Sequence, residues 1–352
     1  MTLEDLGYGD WYEARRKDRG LDLFDAGRVV LEHRERYVVR TAEAEYDGEI
    51  IGNLRYTATR RSDFPAVGDW VAISEFDEDK VLIHAVYPRR TVIERRAVGM
   101  HGEKQVIAAN IDDAFLVQAV DRDFSLNRME RYLTICHASG VRPVILLTKT
   151  DLVSAGVLSE LAGMVKERAG ELPVLAVSNE TGEGIAGVRE MILKGRTYCM
   201  LGSSGAGKST LLNSLRGKQL MKTGAISESS GRGRHVTSHR ELVLLETGGI
   251  IIDNPGMREV GLADSAGGLE STFERIVAFS GECRYRDCSH VDEAGCAVIE
   301  AVERGEIDRG SYENYLKMER EQAHFQSTVA ERRQKDKDFG KMVKQFKKIK
   351  KG

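Results

Sequence analysis

Short apolar and aromatic runs divide the first quarter of the chain into segments of strand length. Four stretches combine β-branched or aromatic residues with intervening turn residues: RVVLEHRERYVVRT, EYDGEIIGNLRYTAT, DWVAISEF and DKVLIHAVYP. Such runs are typical of strands. Five or so strands in about seventy residues predict a small β-barrel over residues 29–98, compatible with an OB-fold. A barrel of this kind binds RNA or DNA, or it serves only as a packing module, and the pattern leaves both open.

From about residue 105 the pattern changes to apolar strands that alternate with helices. Strand-like runs such as DDAFLVQAV and RPVILL alternate with helix-period runs such as LNRMERYLTICHAS. This alternation predicts a parallel, doubly wound sheet that binds its ligands at the carboxyl ends of the strands. We therefore expect a multidomain α/β protein. Residues 1–28 would form an N-terminal arm, 99–265 the doubly wound domain, and 266–352 a helical C-terminal domain.

One strand–loop–helix unit carries a phosphate-binding motif. The stretch LGSSGAGKST matches G-x-x-x-x-G-K-[ST]. In such a loop, backbone N–H groups surround the phosphates and the following helix presents its positive end. We expect Lys208 to reach the β- and γ-phosphates and the Ser209 hydroxyl to ligate Mg²⁺. The predicted nucleotide-binding residues of this loop are Gly202, Ser203, Ser204, Gly205, Ala206, Gly207, Lys208, Ser209 and Thr210.

Two further stretches favour guanine as the base. The segment Thr148–Asp151 (TKTD) follows an apolar strand, and the Asp151 carboxylate can accept hydrogen bonds from guanine N1–H and the 2-amino group. Lys149 would lay its stem over the purine. Ser178 follows the next strand and would support the loop that faces guanine O6. The stretch GSSGAGKSTLL also resembles the loop of ABC-transporter ATPases, but the chain has no strand ending in Asp-Glu and no LSGGQ-like helix.

The order of these motifs differs from that of an ordinary GTPase. After the phosphate loop comes IIIDNPG, a D-x-x-G element in which Asp253 would hold Mg²⁺ through water and the Gly256 N–H would contact the γ-phosphate. Base recognition therefore precedes phosphate binding along the chain, whereas the opposite order is usual. Because doubly wound domains often have neighbouring termini, the rotated set of motifs predicts a circularly permuted GTPase domain.

Four ligand-type residues near the C-terminus suggest a metal site. The stretch CRYRDCSHVDEAGC has the spacing C-x4-C-x-H-x5-C, formed by Cys283, Cys288, His290 and Cys296. Three thiolates and one imidazole complete a closed tetrahedral shell, as in structural zinc sites. The alternative is a set of free cysteines beside a chance histidine. Cys136 and Cys199 lie in apolar patterns and are expected to be core thiols.

Charge and composition bear on partners and location. The chain has 352 residues, a formal net charge of −3 and 41% hydrophobic residues, which suits a soluble protein of two or three domains. It has no bilayer-spanning apolar run and no apolar signal segment, so we expect a cytoplasmic protein with no membrane partner. Residues 331–352 hold ten Lys or Arg against three acids. Such a tail is typical of a protein that binds a polyanionic partner, and the alternative is a solvated helix with no such role. No oligomer signal is present, and we expect a monomer.

Taken together, these motifs resemble the RsgA (YjeQ) family of circularly permuted GTPases. The resemblance covers almost the whole chain, including PAVGDWV in the barrel, the motif order, SGRGRHVTSHREL and the cysteine cluster. It implies an OB-fold, a permuted GTPase domain and a C-terminal zinc domain. It also implies GTP and Mg²⁺ as ligands and a role in late maturation of the small (30S) ribosomal subunit, with GTPase activity that the subunit stimulates. Its 16S rRNA would be the nucleic-acid partner.

The resemblance also indicates residues for the hydrolytic step. The family's usual Asn is replaced here by Thr148, and its H-T-T-T switch reads His235-Val236-Thr237-Ser238. Thr237 is expected to sense Mg²⁺. Met257 occupies the position where Ras-type enzymes place a water-orienting Gln, so intrinsic hydrolysis should be slow. His235 is then the candidate that positions the water, although it could equally be only a residue of a Gly-rich loop.

Three functions remain to be weighed. The first is a GTPase that matures the small ribosomal subunit, with Lys208, His235 and Thr237 as its catalytic residues. The second is a largely non-catalytic RNA-binding protein that uses GTP only to stabilise its fold, for which Met257 leaves room. The third is a P-loop ATPase, against which Asp151 argues. Stimulation by ribosomal subunits separates the first from the second, and preference for GTP separates both from the third.

Overall fold

The computed structural model describes residues 1–33, 36–96, 104–216, 240–253 and 267–326. A short arm with helix α1 (Asp10–Asp18) leads into the first strand. Five strands then form a barrel: β1 (Asp25–His33), β2 (Arg36–Arg40), β3 (Glu45–Ile50), β4 (Trp70–Asp77) and β5 (Lys80–Val86). Their order is β1-β2-β3-β5-β4, and an additional β1–β4 pairing closes the barrel. The predicted five-stranded barrel is confirmed, and its parallel β3–β5 pair is its one parallel contact.

Part of the predicted strand pattern in the barrel is wrong. The stretch EYDGEIIGNLRYTAT forms β3 only as far as Ile50, and helix α2 (Gly52–Thr57) follows. No residue of α2 is buried. Its aromatic and β-branched residues therefore reflect a surface helix rather than a strand that packs into the barrel.

A hairpin of β6 (Val92–Arg96) and β7 (Lys104–Ala109) connects the barrel to the second domain. The strands of that domain are β8 (Asp113–Ala119), β9 (Arg142–Thr148), β10 (Val174–Val177), β11 (Thr197–Leu201), β12 (Arg240–Leu244) and β13 (Ile250–Asp253). Its helices are α3 (Leu126–Ser139), α4 (Ala155–Ala169), α5 (Ile185–Met191) and α6 (Lys208–Arg216). The helices α7 (Gly268–Thr272), α8 (Glu274–Ser280), α9 (Ala297–Glu303) and α10 (Arg309–Gln326) follow.

The second domain is the doubly wound sheet that the strand–helix alternation predicts. Its strands lie in the order β10-β9-β8-β11-β13-β12, and all neighbouring pairs except β12–β13 are parallel. One face packs against α3 and α4, and the other against α5 and α6. Cys136 and Cys199 are fully buried, as expected of core thiols, and burial raises the pKa of both.

Barrel and doubly wound domain share one continuous sheet. Strand β1 of the barrel pairs antiparallel with β12, through Leu31 opposite Glu241 and Glu32 opposite Arg240. Eleven strands are thereby hydrogen-bonded in a single series. The two domains are therefore joined by backbone hydrogen bonds as well as by side-chain contacts.

A buried arginine reinforces this contact. The guanidinium of Arg28, 1% exposed, donates to four acceptors in different segments: the carbonyls of Leu6, Gly68 and Asn110 and the hydroxyl of Thr197. Burial lowers the pKa of Arg28 to about 10, so it remains charged at neutral pH. We call Arg28 and these four partners the barrel junction.

The PAVGDWV stretch supplies part of this junction. Gly68 has φ +94°, and a Cβ there would lie 2.2 Å from the carbonyl oxygen of Ala109. Only glycine permits this approach. The buried carboxylate of Asp69 accepts from both Nε and Nη2 of Arg89, at 2.8 and 2.7 Å, and from the Ala66 N–H. The residues of the PAVGDWV stretch therefore serve to pack the barrel against the β6–β7 hairpin.

The C-terminal helices attach to helix α3 of the doubly wound domain through a buried glutamate. Glu130 of α3, 1% exposed, accepts from the Ser311 hydroxyl at 2.6 Å and from the Asn314 amide at 2.6 Å, and Arg168 lies 3.5 Å away. Desolvation by burial raises the pKa of Glu130, against these three donors. We call Glu130, Arg168, Ser311 and Asn314 the C-terminal junction.

Candidate nucleotide site and metal centre

The phosphate loop lies between β11 and α6, at the carboxyl edge of the sheet. A Cβ at Gly202 would lie 2.3 Å from the carbonyl oxygen of Val117, and Gly207 has φ +91°. Both positions therefore require glycine, one because of the close approach and the other because of its backbone conformation. Ala206 is buried, whereas Ser204, Gly205, Ser209 and Thr210 are exposed.

The lysine of the loop turns back over it. The Lys208 ammonium donates to the carbonyl oxygens of Gly202 and Ser203, at 2.7 and 2.6 Å. Its side chain thus lies across the concave side of the loop, where a phosphate chain would be held by the backbone N–H groups.

The two base-recognition stretches meet beside the phosphate loop. Thr148 is fully buried, and its hydroxyl donates to the carbonyl oxygen of Ala206 at 2.6 Å. The Ser178 hydroxyl donates to the Asp151 carboxylate at 2.6 Å and accepts from the Thr181 N–H. Because β9 and β10 are parallel neighbours, the loops that follow them lie at the same edge. We call residues 148–151 the base loop. Thr148 connects the base loop to the phosphate loop, and Ser178 orients the carboxylate of Asp151.

The carboxylate at the end of β13 is half-buried. Asp253 lies on the strand next to β11, so it ends at the same edge as the phosphate loop. Burial raises the pKa of Asp253, while Arg216 and Lys208 oppose that shift. Together with the exposed Ser209 hydroxyl at the start of α6, it gives oxygen donors of the kind that Mg²⁺ prefers.

Sequence reasoning missed two residues at this edge. Asp121 and Asp123 follow β8 and contact the base loop and phosphate loop respectively: Lys149 Nζ lies 2.7 Å from Asp121 Oδ2, and the Ser203 hydroxyl donates to Asp123 Oδ2. Asn179 lies in the stretch at 178–180 that was predicted for base recognition, and its amide donates to the Gly207 carbonyl at 3.3 Å. The only available signal for the two aspartates was their position, directly after a strand of the parallel sheet.

Three predicted residues cannot be placed. The D-x-x-G glycine and the switch residues lie outside the described ranges: Gly256, His235 and Thr237. Met257 and the basic tail are also outside them.

The four predicted metal ligands come together between α8 and α9. Their ligand atoms all lie within 4.8 Å of one another, in Cys283, Cys288, His290 and Cys296. His290 Nδ1 is 3.6 and 3.4 Å from the sulfurs of Cys283 and Cys296, and those two sulfurs are 3.9 Å apart. A tetrahedral zinc with Zn–S bonds of about 2.3 Å has S–S edges of roughly 3.8 Å. These distances fit a single zinc ion.

The surroundings of the cluster hold the histidine in place. His290 has φ +57°, an uncommon conformation for a residue other than glycine. Its carbonyl oxygen accepts from the Tyr312 hydroxyl of α10 at 2.6 Å. Cys296 precedes α9, and its sulfur accepts from the Ile299 N–H. The cluster therefore joins three of the C-terminal helices.

Comparison with known proteins decides the family. The family model described as RsgA GTPase matches residues 86–263. A small ribosomal subunit biogenesis GTPase RsgA from Opitutus terrae is 41% identical over 338 residues, covering 92% of this chain and 90% of that protein. This chain belongs to the RsgA GTPase family. The similarly named RsgA 1 of Bacteroides thetaiotaomicron is 39% identical over 325 residues, again covering 92% of this chain and 90% of that protein.

Solved structures support the permuted fold of this RsgA GTPase. The crystal structure of YjeQ from Thermotoga maritima aligns with a TM-score of 0.62 at 28% identity, over 85% of this chain and 98% of that one. The fold also matches YloQ, described as a circularly permuted GTPase, with a TM-score of 0.60 at 22% identity, over 87% of this chain and 97% of that one. A second family model, 50S ribosome-binding GTPase, matches residues 197–349 and thus begins at the strand of the phosphate loop. The predicted permutation and GTPase class are confirmed.

Proposed function

We propose that this protein hydrolyses GTP in a Mg²⁺-dependent reaction during late maturation of the small (30S) ribosomal subunit. The observation that carries the proposal is that the base loop and the phosphate loop lie together. Ser178 orients the Asp151 carboxylate, and Thr148 donates a hydrogen bond to the phosphate loop. Adenine has no donor pair for a carboxylate in this position, because its Watson–Crick edge offers an unprotonated N1. The curated RsgA relatives carry the same biogenesis role in their names.

In the proposed mechanism, the nucleotide is held by residues at the carboxyl edge of the sheet. Asp151 recognises guanine, and Lys149 covers the purine. The phosphate-loop N–H groups and Lys208 neutralise the β- and γ-phosphates. Mg²⁺ would be held by Ser209 and, through water, by Asp253, and it would stabilise the charge that develops on the phosphate oxygens.

The switch residues complete the proposed reaction. Thr237 would sense Mg²⁺, the Gly256 N–H would contact the γ-phosphate, and His235 would place the attacking water. Since Met257 cannot orient a water molecule, the intrinsic reaction should be slow and contact with the ribosomal subunit should accelerate it.

We also propose a structural zinc ion and 16S rRNA as ligands of the flanking regions. Cys283, Cys288, His290 and Cys296 form a closed shell with no position for a reactive water. The barrel and the basic tail at 331–352 would bind RNA phosphates. Among the described residues, no helix has the length and apolarity needed to cross a bilayer. We propose that the protein acts as a monomer in the cytoplasm.

The test is steady-state phosphate release from GTP and from ATP, with and without purified small ribosomal subunits. We expect a slow GTP-specific rate that rises severalfold with the subunits. GTP binding without stimulation would instead favour the GTP-binding, largely non-catalytic RNA-binding protein for which Met257 leaves room.

A variant tests base recognition separately. Asp151→Asn should weaken GTP binding and favour xanthosine nucleotides, since the amide can donate to the 2-oxo group of xanthine. Unchanged base preference in this variant would contradict the role of Asp151, whatever the ribosome experiment shows.

A further inference from the structure

We propose that Asp121 is a positioning residue of the guanine site, which presets Lys149 over the purine and links base recognition to the phosphate loop. The inference rests on the proposed role of residues 148–151 as the base loop. No motif of the nucleotide site includes Asp121. Its role follows from its place in the sheet and from its contacts.

Sheet order places the loop after β8 between the two nucleotide loops. Strand β8 pairs with β9 on one side and with β11 on the other, and all three are parallel. The base loop follows β9, and the phosphate loop follows β11. The loop at residues 120–125 therefore emerges between them at the same edge of the sheet.

The two carboxylate oxygens of Asp121 have separate partners. Oδ1 accepts from the backbone N–H of Asp123 at 2.9 Å, so the carboxylate is fixed by its own loop. Oδ2 accepts from Lys149 Nζ at 2.7 Å. The hydrogen bond from Lys149 lowers the pKa of Asp121, with the Asp123 N–H as a further cause. The carboxylate is thus ionised at neutral pH and holds the ammonium group.

The backbone of Lys149 is set for the same geometry. Lys149 has φ +61° and ψ +36°, a left-handed conformation directly after β9. Its two ends are then fixed, the Cα by the turn and the ammonium by Asp121. The four-carbon stem between them is the part that would lie against the purine face.

The other side of the loop reaches the phosphate loop. Asp123 Oδ2 accepts from the Ser203 hydroxyl and from Arg128 Nη1, the latter at 2.9 Å. These hydrogen bonds, led by that of Ser203, lower the pKa of Asp123. One short acidic loop therefore braces the base loop through Asp121 and the phosphate loop through Asp123.

The expected effect of Asp121 is on nucleotide affinity. A free lysine side chain samples many rotamers, and ordering it on binding reduces affinity. Preordering by Asp121 should strengthen GTP and GDP binding equally, by about tenfold, because the purine is common to both. Turnover at saturating GTP should change little, since an interaction made equally in ground and transition states does not alter it.

The experiment measures equilibrium binding of fluorescent GTP and GDP analogues, saturated turnover and thermal unfolding. Asp121→Asn should weaken both nucleotides by about tenfold with less than a twofold change in saturated turnover and an unchanged unfolding temperature. Asp121→Glu should restore part of the affinity. Arg122→Gln is the matched control, because it changes the charge of the exposed neighbour in the same loop and should bind as the wild type does.

Lys149→Met separates this inference from the proposed function. Asp121→Asn should add no further loss in a Lys149→Met background. If Lys149→Met weakens GTP but Asp121→Asn does not, the role of Asp121 is refuted while the base loop stands. If neither variant weakens GTP, the assignment of the base loop itself is wrong. A loss of affinity that accompanies a lower unfolding temperature in Asp121→Asn would also overturn the positioning role.

Discussion

Two junctions join the GTPase domain to its neighbours, each through a buried charged side chain, and the two charges are opposite. At the barrel junction a buried guanidinium, Arg28, is satisfied by carbonyl and hydroxyl oxygens, none of them a carboxylate. At the C-terminal junction a buried carboxylate, Glu130, is satisfied by a hydroxyl, an amide and a guanidinium. The first is accompanied by the β1–β12 ladder, whereas α10 meets α3 through side chains.

This difference determines how the stability of each junction depends on pH. Arg28 keeps its charge across the physiological range because its pKa, lowered by burial, is still about 10. Burial raises the pKa of the Glu130 carboxyl above its ordinary value. The barrel junction should therefore be insensitive to pH, and the C-terminal junction should respond to pH and to the state of the metal cluster next to it.

Loss of the metal should give the largest effect, and on one side only. Cys288→Ala removes one proposed zinc ligand, and structural zinc binding is worth on the order of 10 kcal/mol to the fold it supports. We expect zinc content to fall to near zero and residues 267–326 to become sensitive to protease, while GDP binding persists. Zinc stoichiometry, limited proteolysis and GDP titration check this. A normal zinc content in the variant would contradict the ligand set.

Breaking the barrel junction should rank second. Arg28→Met keeps much of the side-chain volume but leaves several buried acceptors without a donor, at a cost of about 3 to 5 kcal/mol in unfolding free energy. Denaturant unfolding measures the loss. Arg19→Met, at an exposed position at the end of α1, is the control and should cost less than about 0.5 kcal/mol. Equal stability of the two variants would show that the junction does not depend on Arg28.

Glu130 distinguishes the two junctions through pH. Its raised pKa means that the folded state binds the proton more tightly, so its contribution is fully present below the unfolded pKa and is lost as pH rises through the folded pKa. Glu130→Gln removes this titration. Its amide can still donate to Ser311 and accept from Asn314, so stability should change by about 1 kcal/mol or less at neutral pH.

Unfolding free energies measured from pH 4 to 8 check this prediction. The wild type should lose stability relative to Glu130→Gln as pH rises. Glu130→Ala removes the acceptor of the Ser311 hydroxyl, whereas Arg168 and Asn314 keep their hydrogen bonds to Asn127, and it should cost about 2 kcal/mol. Parallel pH profiles of the wild type and Glu130→Gln would show that Glu130 does not titrate in this range.

The outer ion pair of the C-terminal side should matter least. Arg131 of α3 and Glu321 of α10 form a bidentate pair at 2.7 and 2.9 Å, with both side chains about a quarter exposed. Arg131→Ala should cost about 0.5 to 1 kcal/mol, and less at high salt, because solvent screens the pair. Thermal unfolding at low and high salt tests this. A loss as large as that of Glu130→Ala would place the main C-terminal contact at this pair.

Local patterns in the sequence account for the parts of the fold that were predicted. The alternation of strands and helices from β8 to α6 and the stop glycines Gly140 and Gly170 depend on neighbouring residues only. The motif spacing likewise placed Thr148, Asp151, Ser178 and the phosphate loop at one edge of a parallel sheet. Helix α2 escaped prediction because an exposed one-turn helix carries no apolar period.

The contacts that hold the domains together could not be predicted in this way. Arg28 looks like any charged residue at the start of a strand, and only the acceptors of distant segments explain its burial. The β1–β12 pairing joins Leu31 to Glu241, and no local period encodes so distant a partner. Asp121 is one acid in a charged loop until sheet order places it beside Lys149.

The β1–β12 ladder has a consequence for the newly made chain. The barrel closes on itself through β1 and β4, so it can fold as soon as residue 86 has left the ribosome. Its neighbour β12 (Arg240–Leu244) is synthesised only after most of the GTPase domain, roughly 8 to 30 seconds later at ordinary elongation rates. Until then, part of β1 is an open edge that can pair with the wrong strand. Permutation of the motifs thus makes the union of the barrel with the GTPase sheet one of the last events of folding.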